Sequence, residues 1–137
     1  MVIVEASQVN GGLRYDSGKN RLDLIPPEWD WALGLVLTKG AEKYAVRNWE
    51  KGMDWSKVLG PMRRHIDKFL TGEQYDIGTP EEPGTGCHHL AMVAWNALAL
   101  MSYDIRGIGT NDIVTGDMKW LEKCSTKTTS TQLPDTK

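Results

Sequence analysis

Between residues 90 and 101 the chain reads L-A-M-V-A-W-N-A-L-A-L-M, with no charge and with Asn96 as the only polar side chain. A helix over residues 87–105 that is apolar nearly all round is either central or packed against a partner chain. Two one-sided helices are predicted before it. Over residues 27–46, Trp29, Ala32, Leu33, Val36, Leu37, Ala41 and Tyr44 recur at three- and four-residue spacing, and the proline pair at 26 and 27 opens the helix. Gly34 and Gly40 each weaken it by about 1 kcal/mol relative to alanine and allow close helix contact. The second helix is expected to start at an N-cap, Asp54, and to stop at Gly72, with Trp55, Val58, Leu59, Met62, Ile66, Phe69 and Leu70 apolar. Pro61 is expected to bend or split it. No repeat and no strong strand pattern appears, so the predicted class is all-α, a compact helical bundle.

A chain of 137 residues with 40% hydrophobic content is long enough for one domain with a core of its own. Residues 10–27, rich in charge and glycine, read as an extended arm with turns. The loop over residues 76–86 reads as an irregular connection. Periodicity ends after Gly107, so residues 108–137 are expected to form a weakly structured tail after a domain over 1–107, with Trp120 and Leu121 able to dock. The net charge of −2 gives no basic excess for stable nucleic-acid binding. Cys87 and Cys124 make neither a disulfide framework nor a zinc spacing. The start lacks the basic region of a signal peptide, and no uncharged apolar run reaches the roughly 18 residues of a membrane span. A cytoplasmic protein, not bound to membrane, is the expectation.

The chemistry-bearing residues concentrate over residues 64–96. All three histidines, His65, His88 and His89, lie there, and Glu73 and Asp76 stand just past the second helix. Carboxylate oxygens suit Mg2+ or Mn2+, and an added imidazole leans toward Mn2+. His89, Met92 and Asn96 share a helix face. His89 could be a ligand, a cap or a core histidine, and Asn96 could satisfy a neighbouring helix. Basic residues form two clusters, Arg14, Lys19 and Arg21 in the arm and Lys43, Arg47 and Lys51 around the first interhelix loop, each with aromatic neighbours. Such groups grip phosphate and stack on a base; they are equally what a solvated surface with Trp49 as a core anchor would show.

The words R-Y-D-S-G-K-N-R-L-D-L-I-P-P-E (14–28), G-A-E-K-Y-A-V-R-N-W-E-K-G-M (40–53), M-R-R-H (62–65), G-E-Q-Y-D (72–76) and H-L-A-M-V-A-W-N-A-L (89–98), in that order, resemble the phage dATP/dGTP diphosphohydrolases of MazZ type, small helical proteins similar to the MazG nucleotide pyrophosphohydrolases. Well-formed E-x-x-E and E-x-x-D words of MazG proteins are absent, and Met92 stands where the family has a second histidine. The resemblance implies a MazG-like fold completed by oligomerisation, as a homodimer or homotetramer. It implies metal-dependent hydrolysis of dGTP, and of dATP or GTP, to the monophosphate and pyrophosphate, supplying dGMP for 2-aminoadenine nucleotide synthesis in the cytoplasm of a phage-infected host. On that reading Glu73 and Asp76, with His65 and His89, hold Mg2+ or Mn2+, while Glu42 or Glu50 is a further carboxylate for metal or water activation. Lys19, Arg21, Lys43, Arg47 and Arg64 neutralise the triphosphate, and Asn48, Trp49 and Asn96 contact the purine nucleotide. The alternative is a non-catalytic helical module for nucleotide sensing or phage protein interaction.

Overall fold

The computed structural model describes residues 7–9, 11–15, 17–114 and 116; Trp120, Leu121 and most of the expected tail lie outside them. The fold is all-α, built on three helices: α1 (Pro27–Lys43), α2 (Ser56–Leu70) and α3 (His89–Arg106). A small antiparallel ribbon, β1 (Ser7–Val9) and β2 (Gly12–Arg14), precedes them, with Gln8 opposite Leu13. A hairpin thus runs into the start of the expected arm, and Gly11 supplies the positive φ of its turn, +83°.

α2 and α3 form the main packing unit, and α1 lies more lightly on α3. Their pairing is antiparallel. Val58, near the start of α2, clusters with Ala99 and Tyr103 near the end of α3, while His65, later in α2, meets His89 at the start of α3. Trp49, Met53, Trp55, Trp95, Leu100 and Ile108 pack round the Val58–Ala99–Tyr103 cluster. The Tyr103 hydroxyl donates to the Trp49 carbonyl at 2.6 Å, so the buried phenol ties α3 to the loop after α1.

Several expected boundaries move for local reasons. α1 ends at Lys43, not Val46, where the backbone leaves helical geometry at Tyr44, φ −117° and ψ −75°; Arg47, at φ +57°, then turns the chain into the next loop. Val36 is the one buried residue of α1; Trp29, Leu37 and Tyr44 of the expected stripe are exposed in the single chain. Pro61 does not split α2, which runs through it. Nor does Asp54 supply the side-chain cap of α2. Asp112 does, its carboxylate accepting from the Ser56 N–H at 2.8 Å and from the Ser56 hydroxyl. The segment carrying Asp112 is clasped to the start of α2: the Trp55 N–H donates to the Thr110 carbonyl, the Thr110 N–H to that of Met53, and the Trp55 indole N–H to that of Ile108. Gly109, at φ +73°, is needed there, since a Cβ would fall 2.4 Å from the Met53 oxygen.

α3 starts at His89, and the imidazole of His88 caps it by accepting from the Leu90 N–H at 3.1 Å. The helix is central, as its composition predicts. Its third side, with Leu90, Ala94, Ala97, Leu98, Met101 and Ile105, still stays exposed. Among the described residues no helix is long and apolar enough to cross a membrane.

Replacing Asp112 by alanine removes the side-chain cap that α2 has among the described residues. A loss of about 1 kcal/mol in urea unfolding is expected, and ending the chain at Gly107, which removes the whole clasp, should cost more. An Asp112→Ala variant as stable as the parent would show that the cap does not support α2.

Candidate active site

The end of α2, the loop over residues 71–88 and the first turn of α3 converge on one cluster. α2 stops where Thr71 and Gly72 turn their N–H groups back onto the last carbonyls, Gly72 at φ +99°. Glu73 therefore emerges beside the helix end rather than along it. Antiparallel bridges pair Tyr75 with His88 and Gly78 with Pro83, so the expected irregular connection is a tight backbone hairpin. It returns the chain to α3 with Asp76 held inside: the Asp76 N–H donates to the Cys87 carbonyl and the Asp76 carbonyl accepts from the Gly86 N–H, both at 2.8 Å.

Glu73, Asp76 and His89 each offer one ligand atom, and those atoms lie within 4.8 Å of one another. His89 is fully buried, and both of its ring nitrogens are engaged: Nε2 faces Glu73 Oε1 at 3.0 Å and Nδ1 faces His65 Nδ1 at 2.8 Å. Two facing Nδ1 atoms can share only one proton, so one ring donates and the other accepts. The Asp76 Oδ2 accepts from the Thr85 N–H at 3.0 Å and from the Thr85 hydroxyl at 2.9 Å. Burial favours the neutral acid at Asp76, but these two donors, with His65 and Lys68 nearby, outweigh it and hold the carboxyl below its ordinary value of 3.8. Burial, and next the neighbouring His89, push the His65 imidazole below its ordinary value of 6.5. The donor set, two carboxylates and one imidazole, fits a hard divalent cation such as Mg2+ or Mn2+.

The other residues singled out in the sequence lie elsewhere. Glu50 is not in the cluster: Arg47 at 3.0 Å and Arg106 at 2.9 Å bracket its carboxylate. Both hydrogen bonds hold it ionised, below its ordinary value of 4.5. Glu42 is exposed and paired with Lys39 at 3.6 Å. Neither joins the group that could hold a metal among the described residues. Arg106 stands 17 residues after His89 on the same helix, roughly 25 Å along the axis at about 1.5 Å per residue. The Arg47–Glu50–Arg106 bracket and the Glu73–Asp76–His89 cluster thus occupy opposite ends of α3.

Trp49 is a core anchor: its ring lies edge-on to Trp95 and tilted against Tyr103, with the Arg106 guanidinium 5.6 Å from it. It also lines, with Leu33, Leu37, Trp95 and Leu98, an apolar cleft of about 130 Å3 between α1 and α3. Asn48 opens the short 3-10 helix, Asn48–Lys51, that carries it. Lys19 and Arg21 are exposed in the arm, and Arg21 bonds to Asp23 at 2.7 and 2.8 Å. Lys43 lies over the Tyr44 ring, and Arg64 is exposed on α2. Asn96 is buried, and its amide donates to the Met92 carbonyl one turn back in its own helix.

Sequence reasoning missed Thr85 and Lys68. Thr85 had no signal, because its role depends on a backbone hairpin. Lys68, in the last turn of α2, was visible as a cation between His65 and Glu73.

Residues 9–113 match the family model described as "dATP/dGTP diphosphohydrolase, N-terminal". A protein of Salmonella phage PMBT28 named "dATP/dGTP diphosphohydrolase" is 28% identical over 109 residues, covering 80% of this chain and 33% of the phage protein. The chain therefore spans about a third of the length of that relative. No solved structure matches it significantly.

The folded-state pKa values of His65 and Asp76 both lie below their ordinary ones. The unfolded chain then binds more protons between the two values, so stability is full above the unfolded pKa and falls as pH drops. The melting temperature is expected to be level above about pH 7, to decline as His65 is titrated below 6.5, and to decline again as Asp76 is titrated below 3.8. His65→Asn should flatten the first decline and leave most of the second, which rests mainly on the Thr85 donors. A wild-type melting curve unchanged down to about pH 5 would contradict the burial argument for His65.

Proposed function

The chain belongs to the family of dATP/dGTP diphosphohydrolase N-terminal domains, and from that membership we propose that it hydrolyses a purine deoxynucleoside triphosphate, dGTP foremost with dATP or GTP as further substrates, to the monophosphate and pyrophosphate using Mg2+ or Mn2+. The observation that carries the reading is the convergence of Glu73, Asp76 and His89 within 4.8 Å beside an exposed edge of the molecule. A bound divalent cation would supply charge neutralisation at the phosphates and a more acidic water.

The chain's own residues have defined parts in this reading. Glu73, Asp76 and His89 hold the cation. For His89 to offer a lone pair at Nε2 its proton must sit on Nδ1, and the His65 Nδ1 opposite must then accept it. His65 thereby fixes the tautomer and the ring plane of His89. Lys68, which acts electrostatically on both Asp76 and His65, and Arg64, which acts on His65, are the cations placed to meet the triphosphate. Water attacks the α-phosphorus, the bond from that phosphorus to the α–β bridging oxygen breaks, pyrophosphate leaves, and the proton of the attacking water passes to solvent or to a carboxylate. Supply of dGMP to the synthesis of a modified purine nucleotide in a phage-infected cell is the cellular role that accompanies this activity.

Chromatography of the products of dGTP with Mg2+ or Mn2+ tests the reading. Pyrophosphate and dGMP in equal amounts are expected. Glu73→Gln and Asp76→Asn should each lower turnover at least about tenfold, or 1.4 kcal/mol, with the protein still folded, although Asp76→Asn should melt somewhat lower because it removes the charge that the Thr85 donors stabilise. Formation of dGDP and orthophosphate would exclude cleavage between the α- and β-phosphates. No turnover of any purine triphosphate would favour a non-catalytic nucleotide-sensing module.

We also propose that the chain is a homodimer or homotetramer. The uncharged stripe Leu90, Ala94, Ala97, Met101 and Ile105 of α3 and the exposed Trp29 and Trp31 of α1 leave more apolar surface than a single chain covers. Light scattering should give a multiple of 15.3 kDa, and Met101→Glu should shift the mass toward one chain. A wild-type mass of 15.3 kDa would overturn this.

A further inference from the structure

The hairpin over residues 76–88 is tighter than a connection between two helices needs to be. A Cβ on Gly84 would fall 2.1 Å from the Asp76 carbonyl oxygen, and one on Gly78 would fall 2.1 Å from the Gly84 nitrogen. The two strands touch through glycine, and the consequence of that approach is the placement of Thr85 against Asp76. Thr85 makes three bonds there. Its N–H and its hydroxyl both donate to Asp76 Oδ2, while its hydroxyl oxygen accepts from the Cys87 N–H at 3.2 Å. The last contact fixes the rotor: with the Cys87 N–H on the oxygen, the hydroxyl proton is left to point at the carboxylate.

We propose that Thr85 is a positioning residue for Asp76, turning Oδ2 into the hairpin and leaving the other carboxylate oxygen for a divalent cation shared with Glu73 and His89. This rests on the metal-dependent reading above. A carboxylate that points both oxygens into the site can rotate or take two coordination positions. One that is pinned at Oδ2 by two donors presents a single oxygen in a fixed direction, and partners of this kind behind a ligand carry a large share of a site's affinity. The glycine-rich composition of residues 76–86 then has a purpose in the site, since only a backbone pairing this close brings the hydroxyl within reach.

Binding of Mn2+ alone to the nucleotide-free protein, followed by the electron paramagnetic resonance signal of free Mn2+, separates this role from catalysis. Thr85→Val keeps the shape and removes the hydroxyl, and is expected to weaken Mn2+ binding about 10- to 100-fold. Thr85→Ser keeps the hydroxyl and should bind close to wild type. If the valine variant does not fold, Thr85→Ala carries the same expectation. In an Asp76→Asn background the Thr85→Val change should have little further effect, because the group it positions is gone. Equal weakening in both backgrounds, wild-type affinity in Thr85→Val, or no Mn2+ binding by the wild type would each overturn the proposal. Tight, Thr85-dependent Mn2+ binding without release of pyrophosphate from any purine triphosphate would instead remove the enzymatic reading and leave the role of Thr85 standing.

Discussion

One face of α3 has to bury two polar side chains, His89 and Asn96, together with Ala99 and Tyr103, and the way α2 receives that face organises the molecule. At the far end the contact is ordinary core: Val58 and Ala99 pack, and the Tyr103 hydroxyl finds a carbonyl. At the near end it is polar, because His89 meets His65. A buried imidazole without partners would cost several kcal/mol. Here the cost is offset by a partner on each nitrogen, from α2 and from Glu73 just beyond α2. The antiparallel register that fills the core with Val58 and Tyr103 is therefore the same register that brings His65, Glu73 and His89 together.

Much of this was legible in the chain. The three helices follow from spacing that local physics decides: apolar recurrence, a proline pair at the start of α1, and glycine at the ends of α2 and α3. Glu73, Asp76 and His89 were visible as a concentration of ligand types flanking two helices. The features that were not legible depend on distant partners. Asp54 has the right chemistry for an N-cap, yet Asp112, 56 residues after Ser56, takes the position. Glu50 has the right chemistry for a metal ligand, yet two guanidinium groups claim it, and Arg106 reaches it from the far end of α3. The Asn-Gly pair at 10 and 11 is the local signal that could have found the hairpin missed in the arm.

Trp49 illustrates how residue type alone leaves the role open. An aromatic beside basic residues suits base stacking, but its ring contacts are with Trp95, Tyr103 and Arg106, and its carbonyl receives the Tyr103 proton. Its ring is committed to holding the loop after α1 onto α3. The cleft it lines with Leu33 and Leu37 is almost wholly apolar and, at about 130 Å3, smaller than the roughly 300 Å3 at which ligand pockets begin. Base recognition in a single chain would need that cleft to open or a surface nearer the cluster.

A triphosphate group on Glu73, Asp76 and His89 cannot also meet the Arg47–Glu50–Arg106 bracket of the same chain, since the two ends of α3 stand roughly 25 Å apart. On the proposed reading, the cations of one chain that stand near the cluster are Arg64 and Lys68 in the last turns of α2 rather than those of the loop after α1. The bracket is better understood through Glu50. One carboxylate joins the loop that carries Arg47 to the end of α3 that carries Arg106, next to the point where Tyr103 makes the same connection through a neutral hydrogen bond. Two independent links at one end hold the loop after α1 on α3. At the other end the polar residues are left with an exposed carboxylate edge at Glu73, so the chain separates the end of α3 that closes the fold from the end that can take part in chemistry.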